Sequence, residues 1–146
     1  MKITLIENDK KKYLDLLLIA DEQEDMIDRY LERGNMFILE DNGVKAECVI
    51  TNEADGIYEL KNIAVHPDSQ REGYGKALIN FLFSFYKDGK TMYVGTGDSV
   101  KKLNFYKNCG FIESHRVKNF FTDHYNHPMY EDDIQLIDMV YLKKDF

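Results

Sequence analysis

Apolar and polar positions follow one another along this chain in patterns that mark out most of its elements. Residues 2–7 read as a strand, and the Asn8-Asp9 pair behind them is placed to cap a helix in which Tyr13, Leu14, Leu17 and Leu18 share one face. A second apolar stripe, Met26, Ile27, Tyr30 and Leu31, follows Asp21; Glu24 stands three residues after Asp21 in capping-box spacing, and Gly34 ends the stripe. Residues 36–40 and 44–50 predict two strands joined by Asp41-Asn42-Gly43, because Asn-Gly accepts the positive φ angles of a tight hairpin. A turn over residues 52–56 then leads into a strand over residues 57–65. His66-Pro67-Asp68-Ser69 stops it, since proline has no amide to give to a ladder.

Beyond that stop the period changes. Ala77, Leu78, Phe81, Leu82 and Phe85 recur at helical spacing over about three turns. Asp88-Gly89 breaks the helix, and residues 91–95 read as a buried strand. Asp98 or Ser99 can cap the next helix, which carries Val100, Leu103 and Tyr106 or Lys107 on adjacent turns and stops at Gly110. Phe111 onward returns to the sheet, residues 129–133 form an acidic loop, and residues 135–142 predict the last strand. With no repeat, linker or low-complexity stretch, residues 1–146 are expected to be one domain.

Composition narrows the function. A hydrophobic share of 44% and a total of ten tyrosines and nine phenylalanines indicate a packed core rather than disorder. The net charge of −7 argues against a nucleic-acid partner, which calls for a basic surface, and suits a cationic one. Cys48 and Cys109 are too few for a disulfide framework or a zinc site, so no metal is expected. The chain starts directly into a strand pattern, and no segment reaches the roughly 18 apolar residues of a membrane span. The expectation is a cytoplasmic protein, monomeric or homodimeric, without a membrane partner.

The chemistry concentrates between the strand ending Ile63-Ala64-Val65 and the helix after Gly75. The first amides of a helix lack internal partners and its N-terminus carries partial positive charge. Gly73 and Gly75 keep Cβ atoms away from those amides, and Arg71 and Lys76 add full charge, an arrangement suited to a polyphosphate. Two common phosphate loops are excluded. A Walker loop needs a glycine and a Ser/Thr where Gln70 and Ala77 stand, and a dinucleotide fingerprint needs a small residue where Leu78 stands.

The stretch Gln70-Arg71-Glu72-Gly73-Tyr74-Gly75 instead resembles motif A of the GNAT acetyltransferases, written Gln/Arg-x-x-Gly-x-Gly/Ala. Pro67 and the strand before it fit the same family, as does Asn104-Phe105-Tyr106-Lys107-Asn108-Cys109-Gly110-Phe111 further on. The element order matches along nearly the whole chain. The resemblance implies an α/β (mixed α+β) GNAT fold, a mixed, mostly antiparallel sheet of six to seven strands with helices on both faces. It also implies acetyl-CoA as cosubstrate, lying where the strands of residues 57–65 and 91–95 splay apart.

The resemblance further implies roles. The pyrophosphate takes backbone amides from Arg71 to Lys76, within the run Gln70, Arg71, Glu72, Gly73, Tyr74, Gly75 and Lys76, and the acetyl carbonyl faces amides near Ile63, Ala64 and Val65, where the family has a β-bulge. Tyr106 matches the tyrosine that reaches the coenzyme sulfur. Its phenol, with a reference pKa of about 10 against about 8.5 for a thiol, is better suited to donating a hydrogen bond than to giving up its proton. Glu59 lies an even number of residues before Ile63, so an unbulged strand puts both on one face, where a carboxylate can take the proton of an ammonium. The alternative is an ordinary strand glutamate paired with Lys61. Many relatives carry asparagine seven residues before the tyrosine; this chain has Ser99, and Asn104 substitutes for it only if its helix face turns inward. His115, His124 and His127 complete no ligand pattern, Phe120-Phe121 either walls the acceptor pocket or is core, and Cys109 reads as packing. The expected activity is transfer of acetyl to a primary amine by direct attack in a ternary complex. A small cationic amine is favoured as acceptor by Asp21, Glu22, Glu24, Asp25, Asp28, Glu131, Asp132 and Asp133, against a protein N-terminus or lysine, or a non-catalytic coenzyme-binding domain.

Overall fold

Asn42 and Gly43 take positive φ angles of 56° and 104°, and the hairpin they make joins β2 (Asn35–Glu40) to β3 (Val44–Ala54) in the computed structural model, which describes residues 1–146. β1 (Lys2–Ile6) pairs antiparallel with β2, and β3 turns through Gly56, at φ 73°, into β4 (Ile57–Val65). Four more elements complete one face and the far side of the sheet: α3 (Tyr74–Phe85), β5 (Thr91–Gly97), α4 (Val100–Cys109) and β6 (Ile112–Val117). The last strand of the sheet, β9 (Met139–Asp145), inserts between β5 and β6, giving the order β1-β2-β3-β4-β5-β9-β6. Every neighbouring pair is antiparallel except β4 with β5. This is the expected mixed, mostly antiparallel sheet.

Both sheet faces are covered, so central strands read as continuous apolar runs. In β2, Phe37 and Leu39 join Leu78, Leu82 and Leu103 beneath α3 and α4, while Met36 and Ile38 join Leu17, Ile27 and Leu31 beneath α1 (Leu14–Ala20) and α2 (Glu24–Ile27). Ser99 caps α4 by accepting from the Lys102 amide, and Gly110, at φ 116°, ends it. No helix is long and apolar enough to cross a membrane.

Three expectations need correction. The second helix is a single turn with Gln23 at its N-terminal boundary and no side-chain cap, because the Asp21 carboxylate accepts from the hydroxyls of Tyr30 and Tyr125 instead of from helix amides. The chain after that turn is held by the buried Lys10 ammonium, which donates to the carbonyls of Leu31, Glu32 and Gly34 at 2.9, 3.2 and 2.7 Å. Asp9 precedes a 3-10 turn (Lys10–Tyr13) in the left-handed region and makes no side-chain cap. Finally, the C-terminal strand is divided. β7 (Met129–Glu131) and β8 (Ile134–Leu136) make their own hairpin through Asp132 and Asp133, and α5 (Phe120–His124) ties down the break before β9. There the Phe121 amide donates to Ile137 O and the Asn119 amide to Asp138.

Candidate active site

β4 and β5 pair only from Ile57 to Leu60 and from Thr91 to Val94; beyond that β4 runs on to Val65 while β5 stays with β9. The parallel strands therefore open like a V. A cavity of about 450 Å³ fills the opening and reaches across to α1, the segment after α2, α4, α5 and β7. Glu59, Ile63 and Tyr106 all line it.

The β3–β4 register places Leu60 opposite Ile50 and Asn62 opposite Val49, leaving Lys61 as an extra residue. This bulge lies two residues earlier than expected, and it overturns the shared face of Glu59 and Ile63. Val49 and Thr51, the partners of Asn62 and Glu59, stand on the α1 face, whereas Cys48, the partner of Ile63, packs beneath α3. Glu59 is thus grouped with Asn62 and Ala64. Its carboxylate, with 15% of the side chain exposed, meets the Lys61 ammonium at 2.9 Å, and Tyr141 of β9 lines the same cavity. Burial first, and then the charge of Glu59, push the Tyr141 phenol up to about 12, so it remains a donor. The His115 ring stacks on Tyr141 at 4.8 Å, outside the cavity lining.

Tyr106 is 6% exposed, wedged edge-on between Phe105 and Phe111. Burial drives its phenol well above the usual tyrosine range, which deepens the argument that it gives a hydrogen bond and keeps its proton.

At the mouth of α3 the backbone is prepared for close approach. Arg71 and Gly73 take φ angles of 67° and 87°, Gly73 offers no side-chain cap, and a Cβ placed on Gly73 meets nothing within 4 Å. Arg71, Glu72, Gly73 and Lys76 are exposed. Gly75 has a different reason: a Cβ there lies 3.1 Å from Phe105 Cζ, so its absence lets α3 and α4 pack. Tyr74 donates to Asp41 at 2.8 Å and Gln70 to Val65 O at 3.3 Å. Along β4 the amides alternate in direction. Because the His66 amide donates to Lys45 O of β3, that of Ala64 faces β3 too, while those of Ile63 and Val65 face the opened side. Ser99 is engaged as the α4 cap and Asn104 is exposed, and neither lines the cavity.

Of the acids singled out in the sequence, Asp21, Glu22 and Glu131 line the cavity. Glu24 and Asp28 instead bind Lys11, and Asp132 and Asp133 form the β7–β8 turn. Phe120 and Phe121 both line the cavity, and Cys109 packs in the core. His124 lies on Phe120 and His127 faces Glu22; no group of three His, Cys, Asp or Glu side chains is placed to hold a metal ion. Lys61 pairs with Glu59, as the alternative reading has it, whereas the pattern of single residues misses Asn62, Tyr30, Tyr125 and Tyr141, all in the lining. The ten tyrosines of the composition are the only signal for the three phenols, and Asn62 has none.

Comparison with known proteins agrees with this geometry. Residues 32–113, more than half of the chain, match the family model described as an acetyltransferase (GNAT) domain. An uncharacterized N-acetyltransferase, YvbK, of Bacillus subtilis (strain 168) is 34% identical, covering 99% of this chain and 96% of its own. A Bacillus subtilis acetyltransferase solved in complex with CoA is 34% identical, with a TM-score of 0.91 over 99% of this chain and 98% of that one. A GNAT family acetyltransferase of Elizabethkingia anophelis with acetyl-CoA bound is 31% identical, with a TM-score of 0.94 over 99% and 97%. On the strength of that family match, and of full-length relatives that hold the coenzyme, the chain belongs to the GNAT acetyltransferases and is an acetyl-CoA-dependent N-acetyltransferase.

Proposed function

We propose that the acceptor is the primary amine of a small cationic molecule, attacking directly in a ternary complex, with Glu59 as proton acceptor and Tyr106 as donor to the departing sulfur. Acetyl-CoA supplies an acyl group activated as a thioester and a thiol that leaves. The residues present fit that group: the exposed mouth of α3, with open space at Gly73, suits the pyrophosphate on amides of residues 71–76, flanked by Arg71 and Lys76. The amides of Ile63 and Val65 face the opened side of β4 and suit a carbonyl oxygen; one such donor typically contributes about 10²–10³ in rate.

The observation that carries the reading is that Glu59 and Tyr106 line one cavity at the V between β4 and β5. Glu59 is paired with Lys61 at 2.9 Å, which holds its carboxylate at the cavity wall. A cavity of about 450 Å³ also favours a small acceptor over a peptide. The reading is tested by a panel of mono-, di- and polyamines, amino acids and N-terminal peptides, followed by thiol release at low and high salt. Small cationic amines should be the best acceptors, with kcat/KM falling as salt rises. Preference for a neutral, anionic or peptide acceptor would overturn it.

A further inference from the structure

Four carboxylates line the cavity; two have a lysine ammonium beside them and a third has an imidazole. Glu59 faces Lys61 at 2.9 Å, Glu131 faces Lys102 at 4.0 Å and Glu22 faces His127 at 3.9 Å. Asp21 differs. Its partners are two phenols, Tyr125 donating to Oδ1 at 2.8 Å and Tyr30 to Oδ2 at 3.2 Å. Two neutral donors fix the direction of a carboxylate and leave its charge uncompensated.

The wall around Asp21 is rigid. Tyr30 accepts in turn from Asn62 Nδ2 at 3.0 Å, and the same nitrogen donates to Leu17 O at 3.1 Å. Asn62 is 3% exposed, lines the cavity, and has an Oδ1 with no partner. Beside Asp21, the rings of Phe121 and Tyr125 stack at 5.6 Å, and aromatic faces attract an ammonium in their own right. Neither arginine of the cavity pairs with Asp21: Arg33 binds Glu53 at 2.8 Å, and Arg29, exposed in the lining, makes no ion pair although its charge is felt at the Tyr125 phenol.

We infer that Asp21, held by Tyr30 and Tyr125 against the aromatic wall, anchors a second ammonium group, so that the acceptor is a diamine. The inference rests on the amine-acceptor reading above. In the transfer the thioester C–S bond breaks and a C–N bond forms at one end of the diamine. That nitrogen gives up a proton, the thiolate gains one, and the distal ammonium at Asp21 is unchanged.

The test compares α,ω-diamines of increasing length with n-alkyl monoamines of equal length on the wild type, Asp21→Asn and Tyr125→Phe, by thiol release. A charge-assisted contact predicts kcat/KM for the best diamine about tenfold above that of its monoamine, mainly through KM. Asp21→Asn should abolish that ratio and Tyr125→Phe should reduce it. Tyr125→Phe keeps the ring, and it decides the matter if Asp21→Asn melts early. Diamines no better than monoamines in the wild type, or a ratio that survives either substitution, would overturn the inference while leaving amine acetylation standing. If no amine of either series is acetylated, the amine reading fails and this inference falls with it.

Discussion

The Lys61 ammonium stands 2.9 Å from the Glu59 carboxylate because β4 carries one residue more than β3 can pair, and the extra residue is Lys61. The bulge turns Lys61 back toward the face that holds Glu59 and Asn62, and Tyr141 of β9 lines the same cavity. Glu59→Gln keeps the shape and removes the proton acceptor. It is expected to lower kcat by about 10²–10⁴, with partial recovery at high pH as the free amine deprotonates in solution. Lys61→Met should lower KM for a cationic amine, since a like charge beside the site is gone. Steady-state profiles against pH check both, and unchanged kinetics in Glu59→Gln would return Glu59 to the role of a strand glutamate.

Tyr106→Phe retains the edge contacts to Phe105 and Phe111 and loses only the hydroxyl. A fall in kcat of about tenfold or more is expected, with coenzyme affinity nearly unchanged, because the donor acts only as charge develops on sulfur. Calorimetric titration of CoA alongside single-turnover rates separates the two effects; weaker CoA binding at full rate would assign Tyr106 to binding.

Gly73 and Gly75 should fail in different ways. Gly73→Val puts a branched carbon into open space on a residue with φ 87°, so the response of melting temperature to acetyl-CoA is lost, with a cost to the fold of about 1–2 kcal/mol. Gly75→Val drives a side chain toward Phe105 and should destabilise the α3–α4 contact by about 1–3 kcal/mol. Thermal melts with and without acetyl-CoA, NAD or ATP distinguish them. Equal stabilisation of the wild type by ATP would contradict the role assigned to the loop.

How far this was legible in the sequence depends on the kind of signal. Asn42-Gly43 and Gly110 mark positive-φ positions, and the apolar period marks α3 and β4, so the hairpin and the helices follow from local chemistry, while the mixed sheet follows from the family resemblance and the place of β9 between β5 and β6 from neither. The bulge at Lys61 has no such mark, because an inserted strand residue is defined only by its partner strand, and the side of the sheet that Glu59 occupies depends on it. Asp21 presents a capping-box spacing, yet Tyr125, 104 residues away, competes for its carboxylate and wins. Lys10 is likewise buried by carbonyls more than 20 residues distant. Ser99, in the place of a coenzyme-contacting asparagine, serves as a cap, a local function its residue type also allows.

Glu47 gives a pH dependence of stability. It is fully buried opposite Ala64, both carboxylate oxygens lack partners, and burial pushes its carboxyl well above the usual range. A carboxyl whose folded pKa is raised contributes stability in full below the unfolded value near 4.5, and loses it as pH rises through the folded value. Glu47→Gln should therefore match the wild type in acid and melt progressively higher than it toward neutral and alkaline pH, by about 2–4 °C for each kcal/mol. A series of melting curves across pH measures the difference. A gap that is constant with pH would contradict burial of an ionisable Glu47.

The central claim is that acetyl passes from the coenzyme to an amine held beside Glu59. The most direct measurement incubates the protein with acetyl-CoA and the best amine of the panel, then quantifies free thiol and, by mass spectrometry, N-acetylated amine in the same sample. One acetylated amine is expected per thiol released, with both signals falling together in Glu59→Gln. Thiol released without acetylated amine, or product formation undiminished in Glu59→Gln, would contradict it.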